Sequence, residues 1–413
     1  MLIAMLAVAY FLTMRLYWDI YDSPIRGSDL SSYYTAGHMI RNGHARDLYT
    51  VGEGDSILGD ATAGPWAAAG AAAGVSRQHY YIYPPFFALA AAPLSYLSFP
   101  AAMNFWLGLD GVLLALFFAL YARQREERIA WPEIAFMAVA SFLEFLPLIW
   151  AMAIGQTSLI VLVLLAGTLV AWRRESDTAA GLLLGAAIAI KLTPALLTVF
   201  FLFRGRRRIA WISAATFSGI QILSILALGW EVHRIFFLEV VPMMSGGTCY
   251  FLNQSVGAFF NRLMTAGDVR EVHLATSIPA RALAAGASMA LLALSAPRLR
   301  RRPEGVPLAD ELQFGLVVLL TLILSPISWT HHYLAALLPL FALSGSLGRG
   351  PTVSLARAVL LGLALLLIGR KPHADLFLHG LSRAGNSAAL AGAVILWALS
   401  RRALEGRPEG TPA

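Results

Sequence analysis

The feature that most constrains this chain is a repeated alternation. Apolar runs of about 15 to 25 residues are separated by short segments crowded with arginine. The runs lie at about 1–17, 101–121, 131–152, 156–172, 179–203, 209–229, 275–297, 308–327, 332–347, 353–369 and 386–400. About 20 apolar residues are needed for a helix to cross the hydrocarbon core, and such a chain has the bilayer as its solvent. The composition agrees: 58% hydrophobic and only 13% charged residues, where a soluble domain carries roughly 25% charged. Disorder is excluded by the same numbers. The single cysteine, Cys249, excludes an intramolecular disulfide framework and a multi-cysteine zinc site. A net charge of +7 could suggest nucleic acid as a partner. The basic residues sit between apolar runs, however, where membrane proteins use them to set orientation, so no nucleic-acid partner is expected.

Orientation follows from where these cations fall. Six short segments (122–130, 173–178, 204–208, 298–304, 348–350, 401–407) hold 17 of the 31 lysines and arginines in 37 residues. Three long connections (18–82, 230–274, 370–383) hold only 10 in 124 residues. The short segments are therefore expected inside, together with the N-terminus, and the long loops outside. The N-terminal run lacks a small-residue cleavage site and reads as a retained span. The stretch 84–99, broken by Pro84, Pro85, Pro93 and Pro100, must begin and end outside, as a shallow dip or interfacial helix. Two inside clusters, Arg173–Arg174 and Arg204–Arg208, are only about 25 residues apart, too few for two crossings. Either one cluster breaks the rule, or residues 179–203 form a hairpin of two half-length helices with its tip near Lys191–Pro194, backbone that needs protein or a water-filled cavity around it; the hairpin is the favoured reading. The Ala/Gly-rich stretch 61–74 reads as a mobile loop insertion. We expect one integral membrane domain over 1–402 and a disordered cytoplasmic tail over 403–413.

Chemistry needs polar groups, and the outside segments collect them. Asp29 can act as a general base toward a hydroxyl. Ser28 or Asp29 can equally cap a helix over 30–41, and on spacing alone the cap is the stronger reading. His331 and His332 are adjacent, so about 100° separates them on a helix and at most one faces a given cavity. They lack the i, i+4 spacing and nearby carboxylates of a metal site, and a polar helix start explains them as well. Lys191 is one of two lysines among 29 arginines and lies inside an apolar run. An intramembrane cation is costly unless it is paired or faces water, and a phosphate is its natural partner, although it could instead snorkel to an interface. Glu144 in the run 131–152 has a similar status and could simply pair with Lys191. Gln156 and the Asn253-Gln254-Ser255 run can hydrogen-bond hydroxyls. Tyr80, Tyr81, Tyr83 and Trp329 read as an interfacial aromatic belt.

Taken in order, these fragments resemble the polytopic glycosyltransferases of family 87, members of the GT-C superfamily. The matching pieces are Asp29…Tyr33…Ala36…Gly43, Tyr83-Pro84-Pro85, Gly155-Gln156 and Gly181…Lys191-Leu192-Thr193-Pro194. They continue with Asn253-Gln254-Ser255…Arg262 and Ser325-Pro326…Trp329…His331-His332-Tyr333. The resemblance runs from about residue 25 to residue 345, and the Ala/Gly insertion departs from it. It implies an all-α polytopic membrane protein, a GT-C type helical bundle of about 11–13 transmembrane or re-entrant helices with the active site built from extracytoplasmic loops. It implies metal-independent, inverting transfer of a sugar, most often mannose, from a polyprenyl-phosphate-linked donor to a lipid or glycan acceptor. The location implied is the outer face of a bacterial cytoplasmic membrane. In GT-C enzymes an acidic residue of the first outside loop is essential. The matching position is Asp29, which makes it the expected base. Lys191, Arg262, His331 and His332 are then expected at the donor phosphate. Tyr33, Tyr83, Gln156, Asn253, Gln254 and Trp329 are expected at the sugar or acceptor. The competing reading is a transporter or flippase of lipid-linked sugars. It accounts less well for a 65-residue first outside loop with seven acidic residues, and the two matching halves it favours are not visible. A scaffold role has no positive feature behind it.

Overall fold

The structure is a computed structural model, described over residues 26–124, 145–265, 268–272, 277–300, 302–347, 355–370 and 379–405. Among the described residues there is no strand, only two isolated bridges, Asp60 with His79 and Asn253 with Trp329. The helices are α1 (Ser28–Arg41), α2 (Gly64–Ala72), α3 (Pro85–Ala91), α4 (Phe99–Gln124), α5 (Leu146–Ile154), α6 (Ser158–Arg173), α7 (Asp177–Ile190), α8 (Ala195–Phe203) and α9 (Arg207–Leu228). After them come α10 (Trp230–Ile235), α11 (Val241–Ser245), α12 (Val256–Met264), α13 (Ile278–Arg300), α14 (Ala309–Leu324), α15 (Leu337–Leu347), α16 (Leu355–Gly369) and α17 (Ala388–Ala403).

Three of these, α4, α9 and α13, are long and apolar enough to cross a membrane, at 1.5 Å per residue. Each carries large exposed apolar side chains, among them Phe105 and Val112 on α4, Ile222 and Leu226 on α9 and Met289 on α13. Exposed apolar surface of this extent fits lipid rather than water: this is a membrane protein. α6 and α14 are instead buried almost throughout and form the centre of the bundle. α6 packs between α4 and α7, while α14 packs against α15 and α17. Shorter helices replace several of the expected full-length spans, because prolines and glycines interrupt the apolar runs.

The hairpin expected over 179–203 is present as α7, a non-helical tip at Lys191–Pro194, and α8. Its two ends meet at the same face, since Arg206, just past α8, lies 3.7 Å from Asp177 at the start of α7. α9 runs alongside α7 at close range. A Cβ at Gly181 would stand 2.6 Å from Ile212 and one at Gly185 2.5 Å from Thr216, so small residues allow the approach. The basic segments gather at this end of the bundle: Arg173 pairs with Glu311, Arg204 with Asp310 (2.9 Å), Arg302 with Asp310 (3.6 Å) and Arg298 with Glu405 (2.9 Å).

The stretch 84–99 forms the short α3 and a 3-10 turn over Ala92–Tyr96, which cannot cross a bilayer. α1 lies directly on it, with the Gly37 position 2.8 Å from the Ala91 carbonyl oxygen. The Ala/Gly insertion is not a structureless loop: it is α2. Asp55 accepts hydrogen bonds from the Thr62 and Ala63 amides just ahead of that helix, and Trp66 is fully buried against Tyr80 and Tyr81. The Gln78 side chain crosses the helix where any Cβ at Gly70 would stand. Residues 1–25, Glu144 and 406–413, with the expectations placed on them, lie outside the described residues.

Candidate active site

At the end of the bundle away from the arginine pairs, the first loop, the α7–α8 tip and the corner before α15 enclose a cavity of about 580 Å³. Its geometry begins with two glycines. Gly155 ends α5 in the left-handed region (φ 70), and a Cβ there would fall 2.6 Å from that of Leu30. Gly27 is also left-handed (φ 69), and its amide donates to the Ala153 carbonyl at 2.8 Å. Glycine is the residue that adopts these angles without strain. Together the two turns bring the first turn of α1, which carries Asp29, against the residue that follows Gly155, which is Gln156.

Gln156 organises the floor. Its Nε2 donates to Asp29 Oδ2 at 2.5 Å and stands 3.1 Å from His331 Nε2. Its Oε1 accepts from the Tyr33 hydroxyl (3.0 Å), the Tyr83 hydroxyl (2.9 Å) and the Thr157 amide (2.8 Å). With three donors around the oxygen the amide can take only one orientation, which leaves His331 Nε2 to accept the second N–H. Gly27, not Ser28 or Asp29, occupies the cap position of α1, and no side chain caps it. The capping reading of Asp29 is thereby set aside.

Asp29 opens onto the cavity but is largely shielded from bulk water. Burial raises its carboxyl above the ordinary carboxylate range, against the charges of His79 and Lys191 and the Gln156 bond, which lower it. Burial, with a smaller contribution from Lys191, holds His331 well below the usual imidazole range, so it is neutral and offers an N–H rather than a charge. Lys191, from the hairpin tip, sits over the Tyr83 ring with Nζ 5.7 Å from its centroid. Asp29, Tyr83, Gln156, Lys191 and Trp329 line the cavity, and so do both His331 and His332, against the expectation that at most one of the two could face it. Apolar side chains of the α10–α11 segment, Phe236, Val240 and Met244, supply one wall.

Four expected site residues are placed elsewhere. Tyr33 lies behind Gln156, fully buried, with its ring edge-on to Tyr83 and Phe87. Arg262 is fully buried, and its guanidinium donates to the Tyr250 and Asn253 carbonyls and to Ser387 Oγ. Asn253 donates to the Thr248 and Pro326 carbonyls and accepts from the Ser328 amide. Gln254 bonds Phe251, Asn386 and Ala389 backbone groups. These three side chains tie the 248–255 loop to the Trp329 corner and to the start of α17. The rim also holds a group with no assigned role in the sequence reading: Asp60, Arg77 and His79. Charged residues in a loop that otherwise reads as aromatic belt were the available signal.

Residues 81–326, more than half of the chain, match glycosyltransferase family 87. The chain belongs to that family. Among curated relatives, a polyprenol-phosphate-mannose-dependent alpha-(1-2)-phosphatidylinositol mannoside mannosyltransferase of Mycolicibacterium smegmatis is 29% identical over 275 residues, 61% of this chain and 59% of the relative. The protein of the same description from Mycobacterium tuberculosis is 28% identical over 308 residues, 69% of this chain and 67% of the relative. A polyprenol-phosphate-mannose-dependent alpha-(1-2)-phosphatidylinositol pentamannoside mannosyltransferase of Mycolicibacterium smegmatis is 34% identical over 304 residues, 70% of this chain and 67% of the relative. The chain thus spans from 59% to 67% of the length of these relatives. No solved structure gives a significant match. The relatives' descriptions lend the transporter reading no support.

Proposed function

We propose that this family 87 protein transfers a sugar, mannose by the descriptions of its relatives, from a polyprenyl phosphate to a hydroxyl of a lipid or glycan acceptor. The observation that carries the reading is the Asp29 carboxylate, held by Gln156 on the floor of a cavity that also receives Lys191. In this reading Asp29 takes the proton of the acceptor hydroxyl, whose oxygen attacks the anomeric carbon from the face opposite the phosphate, with inversion. The lipid phosphate departs as an anion, needing no general acid but requiring donors that hold its charge. Lys191 supplies the cation, so no metal is needed for that task, and the neutral His331 and its neighbour His332 supply N–H groups. Trp329 and Tyr83 shape the sugar site. The polyprenyl chain lies along Phe236, Val240 and Met244, where apolar contact suffices.

The outer face of a bacterial cytoplasmic membrane, with the N-terminus inside, is the location that fits. The arginine-rich end of the bundle stays inside, and the cavity then opens outside. The test uses purified protein in nanodiscs with radiolabelled polyprenyl-phosphate-mannose and extracted envelope lipids, read by thin-layer chromatography. Wild type forms a labelled lipid product and Asp29→Asn, still folded, forms none. Product from both variants removes Asp29 as the base.

A further inference from the structure

Sugar transfer from a polyprenyl phosphate leaves a proton behind. The acceptor O–H bond breaks and its proton goes to an Asp29 oxygen, while the acceptor oxygen bonds to the anomeric carbon. The bond from that carbon to the phosphate oxygen breaks, and its electron pair stays on the phosphate. Each turnover therefore ends with Asp29 protonated, and the site is not ready again until that proton has left. Asp29 sits where burial favours the protonated form, so an exit is needed.

The groups around Asp29 differ in their ability to provide one. A Gln156 amide does not titrate, and in the proposed reaction Lys191 is committed to the departing phosphate. His331 is buried, and its Nε2 faces the Gln156 amide nitrogen. His79 is arranged differently. Its backbone amide donates to Ser31 Oγ at 3.3 Å, which ties its loop to the first turn of α1, and His79 and Asp29 line the same cavity. Its side chain is 28% exposed, and Nε2 stands 3.5 Å from Asp60 Oδ1, a carboxylate 43% exposed at the mouth of the cavity. The isolated bridge between Asp60 and His79 holds the two backbones opposite each other. Arg77 Nε grips both Asp60 oxygens at 3.1 and 3.2 Å. Of the charges acting on Asp29, that of His79 lowers its carboxyl most, ahead of Lys191.

We propose that His79, backed by Asp60, is the proton exit of the transferase, taking the proton from Asp29 after transfer and releasing it to water at the cavity mouth. The imidazole is the side chain suited to accepting and releasing protons near neutrality. Nε2 is turned to Asp60, which leaves Nδ1 for the incoming proton, and the Asp60 carboxylate steadies the imidazolium in transit. The other charged or titratable groups facing this pair are Asp29 from α1, Arg77 on the same loop, Lys191 from the hairpin tip and Tyr250 from the 248–255 loop. Asp60 and His79 both precede the segment matched to the family. The proposal rests on the reading of Asp29 as the base.

The test is rapid-quench kinetics of the full-length protein in nanodiscs, with radiolabelled polyprenyl-phosphate-mannose and phosphatidylinositol mannoside as probes. Both proteins are compared on the alkaline plateau of their pH profiles, where Asp29 is ionised even without the His79 charge that lowers its carboxyl, and there the first turnover of His79→Gln keeps the wild-type rate. Later turnovers slow on the order of tenfold or more, and added imidazole restores them in a concentration-dependent way. Asp60→Asn gives the same pattern more weakly, which covers the case of a His79 variant that fails to fold. Equal slowing of first and later turnovers, absence of rescue by imidazole, or an unchanged steady state each overturns the proposal. Failure of the wild type to form product, or product from Asp29→Asn, instead removes the parent reading, and the exit with it.

Discussion

The side-chain amide of Gln156 is shared between Asp29, to which it donates at 2.5 Å, and His331, whose Nε2 lies 3.1 Å away. A single glutamine thus links the first loop, 127 residues before it, to a corner 175 residues after it, and its oxygen is saturated by Tyr33, Tyr83 and Thr157. Replacing it with glutamate removes the N–H donor and sets a second carboxylate beside Asp29. Like charges at that distance disfavour ionisation. Gln156→Glu is therefore expected to lower kcat/KM about 100-fold and to move the acid limb of the pH profile upward. An unchanged profile would show that Gln156 does not act on the base.

The pH behaviour of wild type has a definite sign. Asp29 must be ionised to accept a proton, and burial raises its carboxyl above the ordinary value of 3.8. Activity should therefore fall, as pH decreases, at a pH above that value. Stability runs the other way. A carboxyl that binds its proton more tightly folded than unfolded contributes most below the unfolded pKa and loses that contribution as pH rises through the folded one. Asp29→Asn is thus expected to be inactive yet to melt at the same temperature as wild type or higher at neutral pH, with the difference shrinking as the pH is lowered. A lower melting temperature at neutral pH would mean that the carboxylate is held by more than Gln156 and the nearby cations.

Lys191 reaches the cavity only because the α7–α8 hairpin stops short and leaves Lys191–Pro194 non-helical. If its ammonium holds the departing phosphate, Lys191→Met should reduce kcat by about 100-fold or more, with a higher KM for the lipid donor and no change for the acceptor. Lys191→Arg should recover part of the loss, since the charge remains but the planar fork fits differently. Donor kinetics measured in nanodiscs decide it; wild-type values in Lys191→Met would return the residue to a purely structural place.

Much of this arrangement was legible in the sequence. Arginine counting placed segments 173–178, 204–208 and 298–304 on one side, and in the structure ion pairs of Arg173, Arg204 and Arg302 with Glu311 and Asp310 gather them at one end of the bundle. The spacing between Arg174 and Arg204 left two readings, a cluster that breaks the inside rule or a hairpin, and the structure has the hairpin, with Arg206 3.7 Å from Asp177. What spacing could not reveal was which way a polar side chain turns. Asn253, Gln254 and Arg262 have the donors expected of sugar and phosphate ligands, but their amide groups and the two terminal guanidinium nitrogens bond backbone carbonyls and Ser387. Irregular buried backbone needs such partners as much as a substrate does. The Ala/Gly stretch was misleading for a related reason. Low complexity hid Trp66, whose burial anchors α2, and Gly70, whose missing side chain makes room for Gln78.

That distinction makes Arg262 a sharp case. Its guanidinium is fully buried, bonds two carbonyls and Ser387 Oγ, and is not among the residues lining the cavity. Truncation leaves those groups without donors, at a cost of about 1–3 kcal/mol for each buried group left unpaired. Arg262→Met should accordingly lower the thermal unfolding midpoint and the yield of folded protein. The molecules that do fold should keep a near-normal KM for the donor, because the cations that line the cavity are Lys191 and, at its rim, Arg77. The pairing of a thermal melt with donor kinetics separates the two roles. A large rise in donor KM with an unchanged melt would place Arg262 at the phosphate after all, and would require the 250–254 loop to open before the substrate binds.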